Sequence, residues 1–383
     1  MITAVADALR AGPQDRKIAA LTDGAIADAA ASRLGLQALR LPWEGEDRFW
    51  RSLSKCLRRE RVRAVIIVGA DVLDGGYGSW IAKRLLEIGE LAAARDIPVV
   101  ILGFSFKAEP ADELREIWSR LNPAISVHVR DPRSLERFQT FSGRTATLVT
   151  DCAFLLREQA GPTSRKVGSW ADSQRERGRR VLGINFHPQL FDSVDNDGFR
   201  RLDEAFRHAV AELVHRHAMS FVILPHDNRP GGERTTLATF AANLDEGLCE
   251  QVLFVGEDIG PAEIKAITGQ LDGVVAGRMH LAIASLGAGT PVFALTYKDK
   301  FEGLFDHFGL PSWLLASPDA AGEPNHLLGL VRRFGETLGP LRLQVARKLP
   351  EVRRKAERNL ETLGLFRRAD PGDQGTAAER VAK

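Results

Sequence analysis

Short apolar runs alternate with longer amphipathic stretches along nearly the whole chain, the pattern of helices packed on both faces of a parallel sheet. The runs at 64–69 (AVIIVG), 98–104 (PVVILGF), 125–130 (ISVHVR) and 145–150 (TATLVT) form one series of predicted strands. A second series follows at 180–186 (RVLGINF), 220–225 (SFVILP), 252–256 (VLFVG), 273–277 (GVVAG) and 291–297 (PVFALTY). Most of these runs are apolar at consecutive positions, as strands covered on both faces are. ISVHVR instead alternates, with Ile125, Val127 and Val129 on one side and Ser126, His128 and Arg130 on the other. Asp131-Pro132 after it is an N-cap followed by a favoured first helical residue.

Between the two series lies a polar stretch, EQAGPTSRKVGSWADSQRERGR, with no sustained apolar period. It predicts an interdomain linker over 161–179, with an amino-terminal domain at 1–160 and a second domain at 180–340. The remaining segment, 341–383, predicts a terminal helix kinked at Pro350 and a disordered tail lacking apolar anchors. At 383 residues the chain exceeds what one hydrophobic core supports, which agrees with two α/β, doubly wound domains. In such sheets ligands gather beyond the carboxyl ends of the strands, so residues there carry the weight of a functional reading.

Composition narrows the partners. Lys+Arg 52 against Asp+Glu 50 leaves a formal net charge of +2, so no broad basic surface for nucleic acid is expected. The three cysteines, Cys56, Cys152 and Cys249, are far apart and suggest neither a disulfide framework nor a metal site. No run is long and apolar enough to predict a transmembrane helix, and no export signal follows Met1, which predicts a cytoplasmic protein. The P-loop, the esterase elbow, the zinc-protease HExxH and the dinucleotide GxGxxG are all absent.

Candidate chemistry sits at predicted strand ends. In VVAGRMHLAIASLGAGTP, Arg278 and His280 fall between a buried strand and a small-residue helix, where free N–H groups and an arginine suit a phosphate or carboxylate. The plainer alternative is a surface ion pair for Arg278 and a helix cap for His280. TYKDKFEG places Tyr297, Lys298, Asp299, Lys300 and Glu302 at the next strand end, either as a second source of charge or as a solvated loop. Arg130 closes its strand in the first domain, facing the cleft or else pairing with Glu136. His226 and Asp227 open a long loop, PHDNRPGGER, of the kind that carries binding groups. His208, His215 and His217 lack a common helical face and read as surface residues.

GVVAGRMHLAIASLGAGTPVFALTYKDKFEGLFDHFGL, from Gly273 to Leu310, resembles the carboxyl-terminal core of the polysaccharide pyruvyl transferase family in its order of Arg-x-His, Gly-x-Pro and Tyr-x-x-Lys. Looser likenesses at VIIVGADVLDGGYG, VRDPRSLERF, LVTDCAFLL, VLGINF and VILPHD follow in the family's order from Val65. The resemblance implies two facing Rossmann-like domains, similar to two-domain GT-B glycosyltransferases. It implies phosphoenolpyruvate as donor substrate, with no cofactor and no metal, and a sugar acceptor of a polysaccharide or glycolipid precursor. Carried across residue by residue, it gives Arg130, His280 and Lys300 as catalytic and donor contacts and Arg278 as a further donor contact. His226, Asp227, Tyr297 and Glu302 become acceptor or cleft residues. Family members begin with a strand and a glycine-rich turn before the first helix, whereas here ITAVADALRAG, which resembles that helix, follows Met1 directly. FSFKAEP also departs from the family's glycine after the strand PVVILG.

The implied activity moves a pyruvyl group onto a sugar as a ketal and releases phosphate, in envelope or exopolysaccharide synthesis. A lipid-linked acceptor would bring the protein to the inner face of the cell membrane, and homo-oligomers are compatible with the sequence. Two other readings stay open: a nucleotide-sugar glycosyltransferase or epimerase of the same architecture, and a sugar-binding member without catalysis.

Overall fold

The computed structural model describes residues 1–11, 17–191, 196–227, 232–296 and 301–363. The first domain runs through α1 (Ile2–Arg10), β1 (Ala19–Thr22), α2 (Ala25–Arg33), β2 (Gln37–Arg40), α3 (Glu46–Arg59) and β3 (Val65–Ile67). It continues with α4 (Ser79–Ala93), β4 (Val99–Phe104), α5 (Arg115–Arg120), β5 (Ile125–Val129), α6 (Pro132–Ser142) and β6 (Thr147–Leu148). The second domain begins with α7 (Pro162–Glu176), β7 (Arg180–Asn185), α8 (Asn196–Arg216), β8 (Met219–Ile223), α9 (Glu233–Ala242) and β9 (Val252–Phe254). It follows with α10 (Pro261–Thr268), β10 (Gly273–Ala276), α11 (Met279–Gly287), β11 (Val292–Leu295), α12 (Phe301–Phe308) and β12 (Leu315–Ala316). Three helices close the chain: α13 (Pro318–Ala321), α14 (Pro324–Glu336) and α15 (Leu338–Glu361).

All described strand pairs are parallel, in the order β3-β4-β5-β6 in the first domain and β12-β11-β10-β7-β8-β9 in the second. The fold is thus the α/β, two-domain arrangement that the alternating pattern predicts. Continuous apolar runs become strands with no wet face: all six residues of β4 and all five of β8 are buried. In the first domain, Phe104 stacks on Trp118, Phe138 meets both edge to face, and Phe106 meets Phe104 and Phe138 edge to face. A separate parallel pair, β1-β2, precedes β3. AALT and QALR are too short and too weakly apolar to announce it.

One predicted feature comes out differently. The linker over 161–179 is largely helix α7, whose buried positions Thr163, Ser164, Val167, Ala171 and Gln174 keep helical spacing with small or polar side chains. That choice silenced the hydrophobic pattern, while polar contacts hold the helix: Ser220 Oγ donates to Gln174 Oε1 at 2.8 Å and Ser164 N to Glu263 Oε1 at 2.9 Å. The predicted terminal helix is present, and α15 continues through Pro350. Leu341, Val345, Leu349, Val352, Ala356 and Leu360 are buried along that helix, so packing offsets the lost backbone hydrogen bond. The predicted disordered tail lies outside the described residues.

α15 returns from the second domain to the first. Asn359 is buried, accepts from Gly103 N at 2.7 Å and donates to Thr150 O at 2.8 Å. Gly103 is required there, because a Cβ would come within 2.7 Å of Val149 Cγ2 and 3.2 Å of Arg130 Cβ. Across the same seam His307 Nε2 donates to the Arg130 carbonyl at 2.8 Å and Arg133 pairs with Asp306 at 2.9 Å. The carboxyl end of β5 is therefore pressed directly against the second domain. No described helix is long and apolar enough to cross a membrane.

Candidate functional site

In the second sheet β7 is followed in space by β8 and β9 on one side and by β10, β11 and β12 on the other. The chain order reverses between β7 and β10, which is where doubly wound sheets open a crevice. Arg278 is the N-cap of α11, just past the end of β10, and His187 lies two residues past the end of β7. His187 Nε2 donates to Gly277 O at 3.1 Å, joining the two strand ends. His280 is the second residue of α11 rather than part of the preceding turn, because that helix starts at Met279.

Arg278 is held on every side of its guanidinium. Nε donates to Glu233 Oε2 at 2.6 Å, Nη1 to Gln189 Oε1 at 2.9 Å, and Nη2 reaches Asp227 Oδ2 at 3.5 Å. The predicted alternative of a surface ion pair does not describe this arrangement, since Glu233 is 1% exposed. His226 sits at the same place: its backbone N–H donates to Glu233 Oε1 at 2.5 Å, and its Nδ1 is buried without a hydrogen-bond partner.

Arg130 reaches this group from the first domain. It is 3% exposed and pairs with Asp151 at 2.9 Å, not with Glu136. Its Nε donates to Ser105 Oγ at 2.6 Å and its Nη2 to Met279 Sδ at 3.1 Å, so the side chain spans the domain boundary onto the first turn of α11. Asp151 also accepts from Ala153 N at 2.8 Å. Burial pushes the Asp151 carboxyl up, but the charges of Arg130 and His280 outweigh it and hold the group below the usual carboxylate range.

Burial drives His280 down to about 4, against the pull of Asp151; the amino group of Met1, Arg130 and His226 push the same way as burial. Its Nε2 is buried and has no hydrogen-bond partner. Burial lowers His226 as well and takes His187 to about 4, so all three imidazoles are neutral at pH 7. Around them, Arg130 and Arg278 face Asp151, Asp227 and Glu233. A small polyanion entering this crevice needs more positive charge than these side chains supply. The source must be protonation of a histidine or cations from outside the group.

Of the residues expected from sequence, Arg130, Arg278, His280, His226 and Asp227 are thus brought together at one place. Glu302 stands on the first turn of α12, accepting from Thr296 Oγ1 at 2.9 Å, with Oε2 buried and unpartnered. Tyr297, Lys298, Asp299 and Lys300 lie outside the described residues. Asp151, Asn185, His187 and Glu233 belong to the site and were not singled out from sequence. Asp151, Asn185 and His187 follow or end predicted strands, which is the signal that marks them. Glu233 falls near the end of PHDNRPGGER, the loop expected to carry binding groups, but nothing in its residue type or spacing singles it out there. Among the described residues no group of three or more His, Cys, Asp or Glu is arranged to hold a metal ion.

A sequence profile of the polysaccharide pyruvyl transferase family matches residues 32–299, the greater part of the chain, and includes Arg130, Asp151, Arg278 and His280. The chain belongs to that family. Among curated proteins no sequence matches it. Solved structures with the same architecture include MnaA of S. aureus with UDP, at TM-score 0.59 and 9% identity, covering 95% of this chain and 93% of that one. HepE of Anabaena with UDP aligns at TM-score 0.56 and 14% identity over 94% and 96% of the two chains. The UDP-GlcNAc 2-epimerase of Neisseria meningitidis bound to UDP-GlcNAc aligns at TM-score 0.54 and 12% identity over 88% of each. At these identities the likeness establishes a GT-B-like fold for this pyruvyl transferase family member.

Proposed function

We propose that this family member transfers the pyruvyl group of phosphoenolpyruvate to two hydroxyls of a sugar in a polysaccharide or glycolipid precursor, forming a ketal and releasing phosphate. The observation that carries the reading is the convergence of Arg130, Asp151 and His280 across the domain seam, beside Arg278 at the strand-order reversal. Protonation of the donor methylene gives an oxocarbenium-like carbon. One sugar hydroxyl adds there and loses its proton, the C–O bond to phosphate breaks, and the second hydroxyl closes the ketal. The methylene gains one proton, phosphate leaves with the other, and both come from the two hydroxyls.

His280 is the proton carrier in this scheme. Neutral when its neighbours are those of the free site, it gains its proton when the donor's negative charge arrives beside it, with Asp151 stabilising the imidazolium. Arg130 and Arg278 supply planar donors for carboxylate and phosphate. Lys300 completes the charge balance, and His226, Asp227, Tyr297 and Glu302 serve the acceptor side. No metal or cofactor takes part in this proposal, and any lipid-linked acceptor would be met at the membrane face.

The test is incubation of the purified protein with phosphoenolpyruvate and an extract of cell glycans. Phosphate release with a mass gain of one pyruvyl ketal on a glycan is the expected result; release of neither overturns the reading. A nucleotide-sugar enzyme is the second reading, favoured by the UDP and UDP-GlcNAc named for the three structural relatives. Calorimetric titration with UDP-glucose decides it, since tight binding without use of phosphoenolpyruvate would replace the first reading. A member that binds glycan without turnover would show neither activity.

A further inference from the structure

Glu233 opens α9 and is 1% exposed, yet among the described residues none of its side-chain partners is on its own helix. Oε1 accepts from Asn185 Nδ2 and from the His226 backbone N–H, both at 2.5 Å, and Oε2 accepts from Arg278 Nε at 2.6 Å. Asn185 ends β7, His226 follows β8 and Arg278 follows β10, and these strands are neighbours in the centre of the sheet. One carboxylate therefore ties together three adjacent strand ends at the crevice. All three of these described partners are donors. A carboxylate accepts them all, whereas a carboxamide of the same size must turn its NH2 group toward at least one of them.

We infer that Glu233 is a positioning residue of the donor site, locking Arg278 in the orientation that receives the donor's anionic group. The inference rests on the pyruvyl-transfer reading above. Holding Nε fixes the plane of the guanidinium and leaves its Nη atoms on the side of Gln189 and Asp227. The contact to Asp227, at 3.5 Å, is the weakest of the three, and it is the one that an incoming carboxylate or phosphate displaces. Asn185 and the His226 backbone share Oε1 while Arg278 holds Oε2, so a carboxamide can keep its oxygen toward the first two and turn its NH2 toward the arginine, leaving the loop after β8 in place.

The test is steady-state kinetics of wild type, Glu233→Gln, Arg278→Ala and the double variant, varying phosphoenolpyruvate and acceptor separately. Glu233→Gln is expected to raise KM for phosphoenolpyruvate about tenfold, the equivalent of one charge-assisted hydrogen bond, with acceptor KM and kcat little changed. In the Arg278→Ala background the same substitution should add nothing, because the group it orients is gone. A merely structural Glu233 predicts the opposite: additive losses in both backgrounds, spread over both substrates. That result, or an unchanged KM, overturns the inference. Should Glu233→Gln fail to fold, Asn185→Ala removes one donor to the same carboxylate and must raise KM for phosphoenolpyruvate selectively. If the wild type turns over no phosphoenolpyruvate, the transfer reading falls while the clamp is still measured by calorimetry with inorganic phosphate. Tenfold weaker binding in Glu233→Gln supports the clamp; equal binding, or none by the wild type, ends it.

Discussion

Replacing Arg130 with Met separates what the domain seam contributes to stability from what it contributes to chemistry. Arg130 and Asp151 are 3% and 2% exposed and 2.9 Å apart. Removing the guanidinium leaves Asp151 charged and unpaired in the interior and strips Ser105 Oγ of its 2.6 Å donor. Breaking one partner of such a pair costs about 3–5 kcal/mol, whereas replacing both with neutral groups of similar size is close to neutral. Arg130→Met should therefore lower the melting temperature by on the order of 10 °C. Arg130→Met with Asp151→Asn should recover most of it, because the introduced carboxamide is uncharged and keeps an acceptor for the Ala153 N–H that Asp151 now holds at 2.8 Å. Neither variant should transfer pyruvate, since the arginine is missing from both. Calorimetric melting and phosphate release measure the two quantities independently. A single variant that melts within about 2 °C of wild type, or a double variant no more stable than the single, would refute the account of the seam as a buried charge pair.

Three further expectations follow from other contacts. His280→Asn should cut phosphate release at least about 100-fold with little loss of melting temperature, and near-wild-type turnover would remove its proton role. His128, with both ring nitrogens buried and unpartnered, and His187 and His280 all titrate at about 4, because burial excludes the proton. The unfolded chain binds those protons near pH 6.5, so stability is full above that value and falls as pH drops from about 6.5 to about 4, by about 1.4 kcal/mol per unit for each histidine. Urea denaturation across that range should show His128→Leu flattening the slope by one proton; an unchanged slope would count against a neutral His128. Finally, Gly303→Ala places a Cβ 2.5 Å from the Asp131 carboxylate carbon, so it should loosen the seam and cost about 1–3 kcal/mol, read as a lowered melting temperature.

Much of this was legible in the amino acids, and the residues show why. Runs such as VVILGF and SFVIL are apolar at consecutive positions, which suits a strand covered on both sides, and so β4 and β8 and the α/β class follow from pattern alone. Asp131-Pro132 announces the start of α6, and Asp131 does accept from Ser134 N at 2.8 Å. Arg278 and His280 stand out because they interrupt an apolar strand-to-helix passage. α7 was hidden because it buries Thr, Ser and Gln through hydrogen bonds, which carry no hydrophobic period. Glu233 was hidden because, within the loop PHDNRPGGER, nothing local sets it apart from the other polar residues.

The sequence by itself determined the layered α/β class, most strand positions and the polar residues at strand ends, since each depends on neighbours a few positions away. Only the tertiary structure decided that Arg130 pairs with Asp151, that both abut the first turn of α11, and that Glu233 draws Asn185, His226 and Arg278 to one point. Apart from His226 and Glu233, which are seven residues apart, those partners are separated by 21 residues or more, and they meet only because parallel strands align their carboxyl ends and α15 binds one domain back onto the other. Which charge neutralises which is settled by that packing, and local pattern holds no trace of it.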